Sequence, residues 1–137
     1  MEQKDFLLRE IEKIGLVLRA ILNRMKGSGE KLALTIENQF IAEKELLYTE
    51  TGLSLDQLIA LNGSETAQYI STFYGLNVQN IEMLADILKE SGMQIPTVDS
   101  KKLLSKSLEL YTLCSLLDKT FSFERENKIS EIKNVIY

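Results

Sequence analysis

The chain of 137 residues sets 16 Lys and Arg against 20 Asp and Glu, for a net charge of −4, with 45% apolar and 26% charged side chains. These values describe one globular domain over residues 1–137, large enough to bury its own core without metal or disulfide. Histidine is absent and cysteine occurs once, so the commonest general base, the commonest metal ligand and an internal disulfide are all removed.

The N-terminus MEQKDFLLRE is charged and lacks the apolar run of a signal peptide, and no stretch reaches the ~20 apolar residues of a membrane span. The expectation is a cytoplasmic, bacterial-type protein. One proline and seven glycines are too few breakers for a sandwich of short strands and favour long helices.

Helical spacing begins at once. From Asp5, a candidate N-cap, to Lys26, apolar residues recur at Leu7, Ile11, Ile14, Leu18, Ile21 and Met25. Leu16, Val17, Ala20 and Leu22 widen this stripe, so the helix is expected to be covered on two sides, by its own fold or by a second subunit. Gly27-Ser28-Gly29 stops it. A second helix is expected from about Glu30 to Thr51, with Ile36, Phe40 and Leu47 on one face and Gly52 after its end.

Ser54 and Gln57 form a capping-box pattern that opens a short helix through Leu61. Asn62-Gly63 is a turn, and Ser64 is the expected cap of another short helix reaching Tyr74. Asn77 caps the next helix, with Ile81, Leu84, Ala85 and Leu88 on one face and Gly92 as its stop. After the loop GMQIPTV, a long helix is predicted over about Asp99 to Lys119, with Leu104, Leu108 and Tyr111 on one side. A last helix spans about Phe123 to Ile136, with Ile129, Ile132 and Ile136 opposite a charged face. The fold class is therefore all-α, an antiparallel bundle of six to seven helices.

The stretch from Leu53 to Gly75 has the outline of a DNA-reading helix-turn-helix, with Gln68, Tyr69, Ser71 and Thr72 as candidate base readers. Electrostatics opposes that use. Between Lys44 and Lys89 there is no Lys or Arg, while Glu45, Glu50, Asp56, Glu65, Glu82 and Asp86 give −6. Duplex binding is driven by cations neutralising phosphates, so no nucleic-acid partner is expected.

Charge is uneven: residues 32–98 hold two basic and nine acidic residues, against seven and six over residues 99–137. The acidic middle is read as a solvated helical face rather than a docking surface for a basic partner. The basic run Lys13, Arg19, Arg24 and Lys26 on the first helix lacks the Trp of a membrane-surface helix, and no membrane partner is expected.

Cys114 lies in an apolar run with no local cation to activate it and reads as a buried structural residue. Glu-x-x-His pairs, calcium loops and phosphate-binding glycine motifs are all missing. The amides of Gly27-Ser28-Gly29-Glu30 are read as a turn rather than an anion site. No catalytic residue, cofactor or metal ligand is assigned.

Several segments together resemble a known group of proteins. DFLLREIEKIGLVLRAIL, the GLSLDQL-type short helix, and the late pair NIEMLADILKESG and KKLLSKSLELYTLC are similar to a family of small uncharacterised bacterial all-helical proteins with tetratricopeptide-like packing. Leu84, Ala85, Leu88 and Gly92 match the first helix of such a unit; Leu104, Ser107, Leu108 and Tyr111 approximate the second. The chain departs from true arrays in having no repeat at the ~34-residue period, no tryptophan and a longer loop from Met93 to Asp99.

The resemblance implies a fold and no activity. The expected function is a non-catalytic scaffold or adaptor that binds a protein partner or a second copy of itself, through helix 1 in the latter case. The alternative is a small-ligand binder or enzyme using carboxylates and tyrosines in an interhelical pocket, and a nucleic-acid binder ranks last.

Overall fold

A computed structural model describes residues 2–26, 33–95 and 99–137. Among the described residues there are seven helices and no strand: α1 (Glu2–Lys26), α2 (Ala33–Thr51), α3 (Leu55–Ala60), α4 (Ser64–Ser71), α5 (Val78–Gln94), α6 (Asp99–Asp118) and α7 (Phe123–Ile136). The all-α bundle expected from the periodicity is what forms. The Gly27–Gly29 stop, a helix start at Glu30 and the stretch around Pro96 lie outside the described residues.

The helix ends follow local chemistry. Ser54, Asn77 and Ser122 are extended residues whose side chains accept from the backbone N–H of Gln57, Asn80 and Arg125, so three N-termini are capped as the residue types suggest. Four expectations shift. Helix α1 starts at Glu2, with Asp5 inside it, where an acid near the N-terminus suits the helix dipole. Ser64 is the first residue of α4, and the cap position belongs to Gly63 at φ 52. Helix α4 ends at Ser71 rather than Tyr74. Gly92 does not stop α5, which runs on to Gln94 and ends at the extended Ile95, the residue before Pro96. Gly92 serves packing instead: a Cβ there would stand 2.7 Å from Leu104 Cγ.

Helix α5 is the centre of the domain. Ile81, Leu84, Ala85, Ile87 and Leu88 are all buried, which covers more than one face and lets α5 take a neighbour on either side. Its antiparallel partner is α6. Ser107 Oγ donates to Ala85 O at 2.7 Å, Tyr111 Oη donates to Asp86, and Cys114 Sγ lies 3.6 Å from Val78 O.

On the other side α1 runs parallel to α5, which the chain achieves by interposing α2–α4. Near the start of α5, Asn80 Nδ2 donates to Ile11 O at 2.9 Å; near its end, Met25 lines the same small crevice as Ser91 and Gln94. The approach of α1 is close. A Cβ on Gly75 would collide with the Glu10 carbonyl and stand 2.7 Å from Ile14 Cδ1, so only glycine fits. Burial of Leu84 and Leu88 alone contributes about 1.5–3 kcal/mol each before chain entropy is counted.

From Ile14 onward the α1 stripe is consumed in this packing: Ile14, Leu18, Ile21, Leu22 and Met25 are buried within the chain. Leu16 on the opposite face is exposed, as are Phe6, Leu7 and Leu8 in the first turns. Helix α2 is covered less well: Leu47 is fully buried, Ile36, Phe40 and Leu46 are partly so, and Ile41 is exposed. That incomplete cover leaves a cleft.

Candidate functional site

The cleft lies where α2, α3, the end of α5 and the first turns of α6 meet, and encloses about 740 Å³. Its apolar wall consists of Phe40 and Ile41 from α2, Ile59 and Ala60 from α3, Ile95, and Leu103 from α6. Helical spacing explains the grouping: Phe40 and Ile41 are one turn from Glu37 and Lys44, and Leu103 one turn from Asp99, so each helix offers apolar and charged residues to one space. Short α3 is fixed in place by Leu55 and Leu58, both buried, which turns Ile59 and Ala60 toward the opening.

The rim is charged with both signs. Lys44 Nζ pairs with Asp56 Oδ1 at 2.9 Å and sits 5.3 Å from the Phe40 ring centre, bridging α2 to α3. Glu37, Asp99 and Lys102 line the same cleft and make no ion pair among the described residues. Next to it, Lys101 and Lys102 flank a shallower hollow against Ile59 and Leu61.

The second notable site is a closed ionic clamp between α5, α6 and α7. Arg125 is buried; its Nη2 lies 2.8 Å from Glu82 Oε1 and 3.0 Å from Asp118 Oδ2, and its Nη1 donates to Ser115 Oγ at 3.3 Å. Lys128 Nζ reaches Glu82 Oε2 at 3.2 Å and Asp86 Oδ1 at 3.0 Å, 5.7 Å from the Tyr111 ring centre.

These contacts move proton affinities. The hydrogen bond from Arg125 holds the Asp118 carboxyl below its ordinary range, and the Asp118 and Glu82 carboxylates raise Arg125 in turn. At Lys128 burial lowers the ammonium, but Asp86 and then Glu82 more than offset it, so the net shift is upward. Burial, then the Asp86 charge, pushes the Tyr111 phenol far above its usual value. Burial also raises the Cys114 thiol to about 12, and the residue is fully buried, as its apolar run suggests. Each shift is accounted for by a partner in the clamp or by burial, and none of these five residues lines the cleft.

Sequence reading missed the clamp. The acidic run around Glu82 and Asp86 looked like a solvated face, yet both carboxylates are bound by cations from α7. The one available signal was the charge imbalance itself, with the acidic middle followed by a segment holding seven cations.

In the helix-turn-helix-like stretch, Gln68, Ser71 and Thr72 are exposed, but Tyr69 is half-buried and its hydroxyl accepts from Ser54 N at 3.0 Å. The turn is tied to α6: Lys106 Nζ donates to Leu61 O and to Thr66 Oγ1, and Gly63 N donates to Glu109 Oε1. Among the described residues no group of three or more acidic or Cys side chains is placed to hold a metal ion, and no helix is long and apolar enough to cross a membrane.

The fold and its cleft define an all-α helical bundle with a charged-rimmed apolar recess. The chain matches no family model, no curated protein and no solved structure.

Proposed function

We propose that the protein is a non-catalytic cytoplasmic adaptor, and that the cleft between α2, α3 and α6 receives a short amphipathic segment of a protein partner. One observation carries the reading: an apolar wall of Phe40, Ile41, Ile59 and Leu103 lies beside the charges of Glu37, Asp99 and Lys102, which make no ion pair among the described residues. Such a surface suits one or two large apolar anchors with polar neighbours, the helix-in-groove mode of recognition. The residues with altered proton affinity favour a binding role over a chemical one, because their charges are spent on each other in the clamp.

The parallel placement of α1 beside α5, with α6 folded back on α5, supports the tetratricopeptide-like reading and kinship with the small bacterial helical family. A single such arrangement makes no extended concave groove, so the partner segment is short.

Selection of displayed peptides on the purified protein tests the proposal. Enriched peptides should carry paired apolar anchors, shift the amide resonances of Phe40, Ile41, Ile59 and Leu103, and lose binding when Ile41→Lys places a charge on the wall. Peptides that map elsewhere, or no enrichment, would refute it. A second reading uses the same volume, which falls within the range of ~300–1,000 Å³ typical of small-molecule pockets. A fragment screen that saturates the cleft while peptides fail would favour that alternative.

A further inference from the structure

The cleft continues past the end of α3. Ile59, Asn62 and Lys102 line both the cleft and the neighbouring hollow of about 380 Å³, so the two form one trough that runs on along α6. Charges inside the hollow are spent. Lys106 is buried; its Nζ donates to Leu61 O at 2.5 Å and to Thr66 Oγ1 at 2.7 Å, and pairs with Glu109 Oε2 at 2.6 Å. Glu109 Oε1 accepts from Gly63 N at 3.2 Å, so both oxygens of that carboxylate are engaged.

Lys101 and Lys102 line the same hollow, are exposed, and make no ion pair among the described residues. Of the cations described from α2 through α6, Lys44, Lys89 and Lys106 each hold a carboxylate, and these two adjacent lysines do not. In the cleft the free charges are mainly acidic: Glu37 and Asp99 line it, and Glu45 lies farther along the α2 side. The trough therefore changes sign along its length, with Lys102 at the boundary.

We propose that the partner segment carries an Asp or Glu side chain flanking its apolar anchors on one side, and that Lys101 and Lys102 receive this carboxylate in the hollow. The inference rests on the cleft being a peptide site, and charge complementarity selects the occupant. A carboxylate in the hollow meets two uncompensated cations, whereas a basic side chain there meets repulsion. Over the cleft the sign reverses, because Glu37 and Asp99 repel an acid. One acidic flank rather than two is expected, and it fixes which way the segment lies. Residues 32–98 hold two basic and nine acidic residues, so the lysine pair is also the local attractor for an anionic group during approach. Both lysines are exposed, so the contact adds selectivity and association rate more than affinity.

Repeating the peptide selection on the wild type and on Lys101→Glu/Lys102→Glu tests this. Peptides that map to the cleft should carry Asp or Glu on one flank of the anchors, and the double variant should keep the anchors while that flank switches to Lys or Arg. In a synthetic copy of a selected peptide, Glu→Gln at the flank should weaken binding about 5-fold at about 50 mM NaCl, and about 300 mM NaCl should remove most of the difference. Lys4→Glu/Lys133→Glu, an equal change of net charge on exposed residues away from the trough, should leave affinity unchanged. If circular dichroism shows the double glutamate variant unfolded, Lys101→Gln/Lys102→Gln takes its place, with loss of the acidic preference as the readout. Cleft peptides with paired anchors and no acidic flank, or a flank preference indifferent to the lysine substitutions, would overturn this inference and leave the cleft's function standing. Failure to enrich any cleft peptide would remove both. Affinity lost on C-terminal amidation rather than on Glu→Gln would assign the hollow to a chain terminus and equally refute the proposal.

Discussion

Asn80 joins three parts of the domain. Its side chain is buried at the head of α5, where Nδ2 donates to Ile11 O of α1 at 2.9 Å and to Gly75 O of the preceding turn at 2.7 Å. Asn80→Ala removes both bonds. A net hydrogen bond is worth about 0.5–1.5 kcal/mol, and a buried carbonyl left without a partner costs a further 1–3. Ile11 O keeps its place in the α1 ladder, but Gly75 O has no other hydrogen bond among the described residues. The expected loss is about 2–4 kcal/mol, which for a chain of this length lowers the thermal midpoint by roughly 8–15 °C.

Urea denaturation followed by far-UV circular dichroism measures this directly. Asn77→Ala, which removes only the α5 cap, serves as the comparison at about 1 kcal/mol. Asn80→Asp should be worse than alanine, because it points a carboxylate at two carbonyl oxygens. A loss at Asn80 below about 0.5 kcal/mol, or an aspartate better tolerated than alanine, would refute the argument that these two bonds set the α1–α5 contact.

The clamp predicts a localised effect. Arg125→Ala should cost about 2–3 kcal/mol by leaving Glu82 and Asp118 without their shared cation, and hydrogen exchange should quicken across α7 while the centre of α5 stays protected. Uniform exchange in all helices would contradict it. The buried thiol and phenol predict an alkaline limit. Burial raises Cys114 from 9.0 to about 12 and holds Tyr111 above its usual 10.0. Both groups hold protons more tightly folded than unfolded, so their contribution is complete below pH 9 and is lost as pH rises through 9 to 12. Urea midpoints should fall above pH 9, and fall less for Cys114→Ala. A midpoint unchanged up to about pH 11 would exclude this burial.

The helices and two of their caps were legible in the order of residues because both are short-range. Apolar spacing of three and four, Ser54 and Asn77 ahead of their helices, and the inward face of Leu84 and Leu88 need nothing beyond a few neighbours, whereas the caps expected at Asp5 and Ser64 shifted. Cys114 was readable for the same reason. Two glycines were harder. Gly92 and Gly75 have a stop's composition, yet one makes room for Leu104 and the other for the α1 backbone, contacts that depend on which helix arrives.

The rest belongs to tertiary structure. Arg125 meets Glu82 across 43 residues, and Lys106 meets Thr66 across 40, so no local pattern marks either pair. The cleft exists because α2 covers its neighbours incompletely, a shortfall visible only once α1, α5 and α6 have taken their positions. Periodicity states how much apolar surface each helix carries. Which part finds a partner, and which part is left to water at Phe121 and Phe123, follows from packing lengths and crossing positions that arise only when the helices meet.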